Sequence, residues 1–378
     1  MNFGVLGCGV VGLTTALELQ VQFPNAQVSL IADRFDDDTT SYVAAGVFRP
    51  GTSFAGPSQE VTHKWIRDAY NHWDNIRRSQ EAPLTGVTQL SVYIFSSTSR
   101  SIVRNHFLEK LLPVYRQTTE EELKLCQGVW KYGSFFTTLL TDCKIFLPYA
   151  TKKFLAAGGK ISRQHIKNFT DIEQNFDVLV NCTGLGARKL CNDYKVVPMR
   201  GQVLKVKAPW IKTAFYGDYD TYIIPGFETV TLGGCRQYDS YNMGICKYDS
   251  MAIRERCCNM LPSLKKAKVV HEMVGLRPHR SEVRVEREIL QRADGRRMKI
   301  VHNYGHGGYG VTTSPGTAKH AVRLVRELLA GNSASFGLLK RKIYLSICCK
   351  KKLLNHWVIV KKCTSFVKWP TNYTKTTG

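Results

Sequence analysis

The first twelve residues constrain the fold more than any other stretch, because Gly7, Gly9 and Gly12 form a G-x-G-x-x-G pattern. The apolar residues before the pattern predict a strand over Asn2–Leu6, and those after it predict a helix over Leu13–Gln22. A strand, a glycine turn and a helix in this order are typical of a dinucleotide-binding βαβ unit. A glycine-rich turn in an unrelated α/β fold is the alternative interpretation.

A second strand, predicted over Gln27–Ala32, favours the dinucleotide interpretation because it ends at Asp33, twenty-one residues beyond Gly12. A carboxylate at that place can accept hydrogen bonds from the adenosine ribose. Gly7 then permits the tight turn, Gly9 lets a pyrophosphate approach backbone N–H groups at the positive end of the helix, and Gly12 lets helix and strand pack closely.

The segment that follows Asp33 bears on which dinucleotide binds. Hydroxyl groups that can meet phosphate or ribitol oxygens belong to Thr39, Thr40 and Ser41. Small residues that leave room for a flat ring follow at Ala44, Ala45 and Gly46. No Lys, His or Tyr–Lys set of the kind expected in a nicotinamide enzyme stands out. A second strand-to-turn approach to the same cofactor is predicted at 181–186, around Thr183 and Gly184.

The net charge of +23 is unevenly distributed along the chain. Residues 332–378 contain ten Lys or Arg and no Asp or Glu, and subtracting these ten charges leaves +13 for residues 1–331. The earlier basic residues are mostly interspersed with acids, and no helix-turn-helix, RNA-recognition or zinc-finger pattern accompanies them, so we expect no nucleic-acid partner. Residues 332–378 are either a tail for an anionic partner or membrane surface, or a poorly structured extension, and we favour the latter.

Composition excludes several further classes of protein. The 378 residues suffice for two or three domains, and a hydrophobic content of 43% is ordinary for a globular protein. We find no run of about 18 apolar residues and no signal peptide, so we expect no transmembrane segment. The twelve cysteines are scattered without a CxxC, so we expect free thiols in a reducing compartment and no metal site.

Helical spacing of apolar residues recurs over Thr62–Arg78 and predicts an apolar face of Trp65, Ala69, Tyr70 and Trp73. A last strand is predicted over Ile300–Tyr304 and a last helix over Pro315–Ala330. Between them lies YGHGGYGVT, residues 304–312, with four glycines in nine residues. Glycine in regular structure costs roughly 0.5–1 kcal/mol relative to alanine. We therefore expect a loop there whose backbone lies against a bound group.

Seven stretches in order carry a specific resemblance: VLGCGVVGL, ADRFDDDTTSYVAAG, VNCTGLGAR, RGQVLKVKAPW, YIIPGFETVTLGG, VGLRPHR and HNYGHGGYGVT. With them the chain resembles the FAD-dependent D-amino-acid oxidase and D-aspartate oxidase family from Phe3 to about Leu329. The resemblance implies oxidative deamination of D-amino acids to 2-oxo acids with NH3 and H2O2, by hydride transfer from the α-carbon to flavin N5. The protein's part is orientation and electrostatics.

The resemblance also assigns roles to individual residues. Arg277 matches the arginine that binds the substrate α-carboxylate, a task suited to an always-charged, bidentate guanidinium. Tyr222 matches the tyrosine whose hydroxyl meets the same carboxylate, and Gly308 matches the residue whose carbonyl accepts from the substrate amino group. The FAD contacts that it implies are Gly7, Gly9, Val10, Val11, Gly12, Asp33, Arg34, Thr39, Thr40, Ser41, Ala45, Gly46, Ile166, Thr183, Gly184, Gly307, Gly308, Tyr309, Gly310 and Thr312.

Different motifs in the sequence favour different substrate side chains. HGGYG and YIIPG resemble the enzymes for neutral D-amino acids, whereas VGLRP and Arg236 resemble the D-aspartate oxidases. The arginine that the latter carry upstream of the tyrosine is not evident, and Phe215 and Tyr216 stand about there. Arg49 can compensate, since a cation beside the pocket favours a second carboxylate. We lean to acidic substrates; the alternatives are neutral D-amino acids and a non-catalytic flavin-binding or interaction protein.

The resemblance predicts an α/β fold of the glutathione-reductase-like flavoprotein oxidase architecture. In it a Rossmann-like FAD-binding domain (1–50, 145–196 and 284–331) is interleaved with an α+β substrate domain of mixed or antiparallel sheet (51–144 and 197–283). Its partners are a small D-amino acid and O2, and a homodimer is compatible with it. The family is usually peroxisomal, but an S-K-L-type signal is absent at Thr376-Thr377-Gly378, which leaves the cytosol as the alternative.

Overall fold

The computed structural model describes residues 1–172, 176–291, 295 and 297–330. One compact unit comprises Met1–Val325, and a second unit begins at Arg326, of which residues 326–330 are described. The basic segment 332–378 lies outside the described residues, and our expectation for it remains a prediction.

The described residues contain one large sheet of fourteen strands. Numbered β1–β14 in chain order, they are Asn2–Leu6, Gln27–Ala32, Val87–Ser96, Tyr115–Gln117, Tyr132–Thr141, Lys160–Arg163, Val178–Asn181, Val197–Lys207, Ala214–Tyr216, Tyr222–Pro225, Val230–Gly233, Gln237–Tyr238, Lys268–Gln291 and Arg297–His306. Their order in the sheet is β4-β5-β3-β9-β10-β11-β8-β13-β14-β7-β1-β2-β6, and β12 pairs with β8.

The helices lie on the faces and ends of this sheet. Numbered α1–α11 in chain order among the described residues, they are Val10–Gln22, Thr40–Val43, Gln59–Arg78, Ala82–Thr85, Arg100–Val103, His106–Glu109, Glu120–Leu123, Cys143–Ala156, Ala187–Leu190, Lys247–Met260 and 310–330. Short 3-10 turns occupy Asp36–Asp38, Phe169–Asp171, Gly184–Gly186, Pro262–Lys266 and Gly307–Tyr309. No helix among these residues is long and apolar enough to cross a bilayer.

One part of the sheet is parallel: β14, β7, β1, β2 and β6 pair side by side in the same direction. β1 and β2 are buried along almost their whole length, as is usual for parallel strands covered on both faces. The carboxyl ends of parallel strands meet at one edge of a sheet. The turns that follow β1, β2, β7 and β14 therefore lie at a common edge.

The other part is mostly antiparallel and is centred on β8, which pairs with β11, β12 and β13. Nine of the eleven β8 residues are buried. Helix α10 covers this part through a core cluster that includes Leu204, Ile223, Ile253 and Cys257. The long strand β13 pairs with β8 in its first half and with β14 in its second half, so it joins the two parts of the sheet.

The predicted architecture is confirmed, and most predicted elements are present. The strands Asn2–Leu6 and Gln27–Ala32 have the predicted bounds, and the first helix begins at Val10 rather than Leu13. Helix α3 buries Trp65, Ala69 and Trp73 as predicted, while Tyr70 is half-buried. Its start is fixed by Ser58, whose side chain accepts a hydrogen bond from the Val61 N–H.

The prediction of a glycine-rich loop over residues 304–312 was wrong. Gly307–Tyr309 form a 3-10 turn, and α11 already begins at residue 310 instead of Pro315. Pro315 lacks the N–H that would pair with the Val311 carbonyl one turn earlier. That carbonyl accepts a hydrogen bond from Trp73 Nε1 at 3.1 Å instead. A side chain from a distant helix thus makes the proline tolerable inside α11.

Candidate active site at the edge of the sheet

The glycine turn after β1 is closed by backbone contacts that exclude side chains. Gly7 has φ of +100°, and a Cβ there would lie 2.5 Å from the carbonyl oxygen of Cys182. A Cβ at Gly12 would overlap the carbonyl oxygen of Gly7. These contacts support the tight-turn role of Gly7 and the close-packing role of Gly12.

The N-terminus of α1 is open toward the sheet edge. Gly9 is its N-cap, and no side chain among the described residues caps it in the usual way. The Val10 N–H donates to Ser41 Oγ at 3.0 Å, and a Cβ at Gly9 would also lie 3.0 Å from that oxygen. A hydroxyl oxygen therefore lies where the helix end presents its partial positive charge, the usual binding place for a phosphate. Val11 follows in the same turn of the helix.

A second helix N-terminus lies beside the first. A Cβ at Gly310, where α11 begins, would lie 4.0 Å from a methyl of Val10 and 3.8 Å from a methyl of Val11. Thr312, in the first turn of α11, is buried and donates its hydroxyl to the Val47 carbonyl at 3.3 Å. Two helix ends thus contribute partial positive charge to one place, which suits an anionic ligand or one that gains negative charge.

The turn after β2 places Asp33 at the same edge. Its Oδ2 lies 2.6 Å from Nδ1 of His165, and its side chain is 46% exposed. Arg34 is exposed beside it, and Ile166 packs against the core cluster under the parallel strands. Sequence reasoning missed His165, although it follows β6, the strand that pairs with β2.

The turn after β7 lies against the glycine turn. A Cβ at Gly7 would lie 3.3 Å from the Cα of Thr183, and Gly184 follows with φ of +56°. The Thr40 hydroxyl donates to the Leu276 carbonyl at 3.2 Å, and that of Thr39 to the Asp36 carbonyl at 2.7 Å. Of the three predicted hydroxyls, that of Ser41 alone hydrogen-bonds the α1 N-terminus within the described residues.

The segment that follows α2, with Ala45 and Gly46, forms the next part of the candidate site. Ala45 is half-buried, and Gly46 has φ of +77°. A Cβ at Gly46 would overlap the carbonyl oxygen of Thr141, whose N–H donates to the Gly46 carbonyl at 2.9 Å. Gly46 is therefore required by backbone packing on β5, independently of any bound ring.

Arg277 and Gly308 are brought together by β13 and the turn after β14. A Cβ at Gly308 would lie 3.3 Å from Cδ of Arg277. The Arg277 guanidinium lies over Gly201 of β8, where any side chain would overlap it, and its Nη1 donates to the Cys235 carbonyl at 3.3 Å. Next to this pair, Gly307 has φ of +56°. The guanidinium retains most of its donors for a ligand.

Tyr222 begins β10 and shares this environment. Its ring lies over Gly233 and Gly234, because a Cβ on Gly233 would overlap the ring and one on Gly234 would lie 2.7 Å from the hydroxyl. Burial raises the pKa of Tyr222, and the Arg277 cation lowers it in part. The hydroxyl therefore stays protonated near neutral pH and can donate a hydrogen bond beside Arg277.

Arg49 is held over an aromatic ring next to Tyr222. Its guanidinium carbon lies 4.7 Å from the centre of the Tyr216 ring, and the Tyr216 and Tyr222 rings lie 5.9 Å apart. Burial raises the pKa of Tyr216 to about 12, with Arg49 opposing the shift. Arg49 Nε is buried without a hydrogen-bond partner among the described residues. A buried, unpaired donor of a cation calls for an anionic ligand.

Both arginines predicted to meet the substrate side chain line one cavity of about 290 Å³. Arg49 and Arg236 share it with Ser53, Asn105, Arg104 and Tyr309. Arg236 is half-exposed and forms an ion pair with Asp220 at 2.9 Å, and Arg104 forms one with Glu109 at 2.8 Å. The cavity therefore combines one arginine with an unsatisfied donor and two that already have acidic partners.

Sequence reasoning named Arg49 and Arg236, which both line this cavity, but missed Tyr216 as the support of Arg49. The signal was present, since Tyr216 stands where an arginine was expected. It also missed Arg104, which reaches the cavity from a loop between α5 and α6. Nothing in the local pattern around Arg104 distinguishes it from a surface arginine.

Comparison with known proteins agrees with this geometry. The DAO family model, described as FAD dependent oxidoreductase, matches residues 3–324. D-aspartate oxidase from Homo sapiens is 41% identical over 328 residues, which cover 86% of this chain and 95% of that protein. D-amino acid oxidase from Dugesia ryukyuensis is 35% identical over 334 residues, which cover 87% of this chain and 98% of that protein.

Solved structures show the same fold. Glycine oxidase from Bacillus cereus superposes with a TM-score of 0.71 at 16% identity, over 86% of this chain and 95% of that chain. L-alpha-glycerophosphate oxidase from Mycoplasma pneumoniae, with FAD bound, gives a TM-score of 0.67 at 15% identity, over 86% and 94% of the two chains. The family match and the identities above confirm the resemblance: this chain belongs to the DAO family of FAD-dependent oxidoreductases.

Proposed function

We propose that this chain catalyses the FAD-dependent oxidative deamination of D-amino acids. The observation that carries the proposal is the closeness of Arg277 to Gly308, where an added Cβ would lie 3.3 Å from Arg277 Cδ, at the edge where two helix N-termini converge. A D-aspartate oxidase and a D-amino acid oxidase among the relatives agree with it. In the overall reaction a D-amino acid, water and O2 give a 2-oxo acid, NH3 and H2O2.

The residues present fit FAD. Gly7 and Gly12 leave no room for side chains in the turn, and the open N-terminus of α1 suits the pyrophosphate. We assign the adenosine ribose to Asp33, and the pyrimidine end of the flavin to the first turn of α11, with Gly310 and Thr312. Bound FAD supplies the acceptor for the hydride and its two electrons.

The protein's own residues orient the substrate. We assign the α-carboxylate to the Arg277 guanidinium, and its second hydrogen bond to the protonated Tyr222 hydroxyl. The Gly308 carbonyl would accept from the amino group. With the carboxylate and the amino group held in this way, the single α-hydrogen would face the flavin only when the side chain points away from it, which would select one enantiomer. No general base is needed to remove the α-hydrogen, because it leaves as a hydride.

Arg49 supports a preference for acidic D-amino acids. Its unsatisfied Nε and its position over Tyr216 provide a cation where the second carboxylate of D-aspartate would lie, with Arg236 lining the same cavity. One observation favours the second candidate, neutral D-amino acids: Arg236 is already paired with Asp220. A non-catalytic flavin-binding protein is the third candidate, and substrate turnover would exclude it.

A substrate panel tests the proposal. Purified holoenzyme would be assayed with D-aspartate, D-glutamate, D-alanine and D-proline by following H2O2. We expect the highest kcat/KM for one of the two acidic substrates. A clear preference for D-alanine or D-proline would overturn the acidic assignment and leave D-amino-acid oxidation standing, whereas no H2O2 from any D-amino acid would overturn both.

The domain division, cellular location, electron acceptor and oligomeric state of the enzyme remain proposals. The parallel strands β1, β2, β6, β7 and β14 all come from the segments assigned to the FAD domain, which supports that division. Production of H2O2 and the family resemblance support a peroxisomal location, with the cytosol as the alternative. O2 as the electron acceptor and a homodimeric state rest on the family resemblance, and sedimentation of the purified protein tests the latter.

A further inference from the structure

A line of hydrogen bonds runs from a surface carboxylate to the turn beside the cofactor site. Glu288 Oε2 lies 2.8 Å from His302 Nε2, and His302 Nδ1 lies 3.2 Å from Asn181 Nδ2. Asn181 Oδ1 in turn accepts from the hydroxyl and the N–H of Thr183. His302 and Asn181 are fully buried, while the Glu288 side chain is 37% exposed. None of the substrate contacts above uses this line.

The backbone fixes the direction of every hydrogen bond in the line. The Thr183 N–H can only donate, and it is 3.2 Å from Asn181 Oδ1, so the amide oxygen must face Thr183. The amide nitrogen then donates to Cys191 Sγ, at 3.0 Å, and to His302 Nδ1. His302 Nδ1 must therefore be unprotonated, and the ring proton is on Nε2, where it is donated to Glu288.

The same direction determines what Thr183 can offer a ligand. Its hydroxyl hydrogen is committed to Asn181 Oδ1 at 2.8 Å, so the lone pairs of the oxygen remain free to accept. We propose that Glu288, His302 and Asn181 are positioning residues that hold the Thr183 hydroxyl as a hydrogen-bond acceptor for a donor group of bound FAD, a ribityl hydroxyl or a ring N–H. This inference rests on the proposed FAD site, and the proximity of Thr183 to Gly7 supports it.

The charges around His302 make the line sensitive to acid. Glu288 and Glu286 face the ring from β13, together with Arg284, while Cys191 and Tyr304 lie at its other sides. Burial lowers the pKa of His302, and Arg284 lowers it further, while Glu288 raises it. If the His302 ring were protonated, its Nδ1–H would point at the Asn181 amide N–H. Two hydrogen-bond donors would then face each other, and no hydrogen bond could form between them. FAD affinity should therefore fall as His302 takes up a proton.

The test is FAD release from the diluted holoenzyme, followed by flavin fluorescence between about pH 8 and about pH 5, because the pKa of His302 lies below the ordinary histidine value. Thr183→Val removes the acceptor at constant shape and should raise the Kd for FAD about tenfold, the loss of one hydrogen bond. The amide of His302→Gln can accept from Asn181 and donate to Glu288 without titrating. This variant should keep the affinity seen at about pH 8 within about threefold and lose the rise in Kd at low pH.

His72→Gln is the matched control, because His72 is a half-buried histidine whose pKa burial lowers to about 4 and which lies outside the line. It should retain the pH dependence of the wild type. Two results would overturn the inference: Thr183→Val that binds FAD as tightly as the wild type, or His302→Gln that keeps the pH dependence. The readout needs no substrate, so a protein that behaves as expected here but oxidises no D-amino acid would overturn the proposed function alone.

Discussion

The parallel and antiparallel parts of the sheet build their sides of the site in different ways. In the parallel part three site residues directly follow strands: Gly7 after β1, Asp33 after β2, and Gly307 after the β14 residue His306. In the antiparallel part Arg277 lies within a strand and Tyr222 begins one. Arg277 and Tyr222 are 55 positions apart in the chain and share an environment because only β11 and β8 lie between their strands in the sheet.

The difference indicates that the parallel part forms one side of the site mainly from backbone groups (the backbone-built side). The antiparallel part forms the other side mainly from side chains (the side-chain-built side). Helix N-termini and glycine turns can hold a cofactor with little help from side chains. Arginines and tyrosines instead recognise the small charged substrate. Substitutions in the two parts should therefore separate cofactor binding from substrate oxidation.

The largest effect is expected on the backbone-built side, from Gly12→Val. The added Cβ would overlap the Gly7 carbonyl, so the turn that carries the α1 N-terminus cannot close. We expect protein without bound flavin and without activity, measured by the visible absorbance of the purified variant. Gly186→Ala is the control, because its Cβ would lie at an ordinary 3.4 Å from Thr183. A yellow Gly12→Val protein would contradict the close-packing role.

The next effect is expected on the side-chain-built side, from Arg277→Ala. Loss of a charge-assisted contact to the α-carboxylate should lower kcat/KM for every D-amino acid by about 10²–10³-fold, which corresponds to roughly 3–4 kcal/mol. Flavin content should stay that of the wild type. Arg277→Lys should recover only part of the loss, since an ammonium lacks the bidentate geometry. An effect confined to acidic substrates would contradict the assignment.

Gly308→Val tests the boundary between the two sides. A Cβ at Gly308 would lie 3.3 Å from Arg277 Cδ, so the methyl groups of valine would enter the space assigned to the substrate. We expect kcat/KM to fall about 10²-fold while FAD stays bound, because steric displacement of about 1 Å has that cost. Normal oxidation by this variant, or loss of flavin before loss of activity, would show that the turn has another role.

Arg49→Gln addresses substrate choice within the side-chain-built side. It should lower kcat/KM for D-aspartate by about tenfold and leave D-alanine nearly unchanged, because only the former has a second carboxylate. Arg104→Gln is the matched control: it lines the same cavity but is already paired with Glu109, so a small effect is expected. Equal losses for D-aspartate and D-alanine would make Arg49 a structural residue.

The last effect concerns stability where the two parts of the sheet join, and near neutral pH it is the smallest of all, because it develops only below about pH 6.5. His306 pairs with His279 of β13, and burial lowers its pKa to about 3. The unfolded chain binds this proton near pH 6.5, so the free energy of unfolding should be highest above that pH. It should fall toward pH 3 by up to about 1.4 kcal/mol per pH unit. In urea unfolding experiments on His306→Gln, the free energy of unfolding should fall less steeply as the pH is lowered. An unchanged dependence on pH would contradict the role given to His306.

The parallel part of the fold could be predicted because its signals are local. The glycine spacing, the buried strand before it and Asp33 all fall within thirty-three residues. The start of α11 could not be predicted, because Trp73 Nε1 replaces the missing Pro315 N–H as the donor to the Val311 carbonyl, from 238 residues before Val311. Likewise, the partner of Arg49 is Tyr216, and only strand pairing brings them together.

The central claim is that this site moves a hydride from a D-amino acid to bound FAD, and anaerobic mixing tests it most directly. The yellow holoenzyme would be mixed with D-aspartate or L-aspartate without O2, and the visible flavin absorbance followed. We expect rapid bleaching by D-aspartate, no bleaching by the L enantiomer, and slow bleaching of Arg277→Ala. A holoenzyme that stays yellow with every D-amino acid, or bleaches equally with both enantiomers, would contradict the claim.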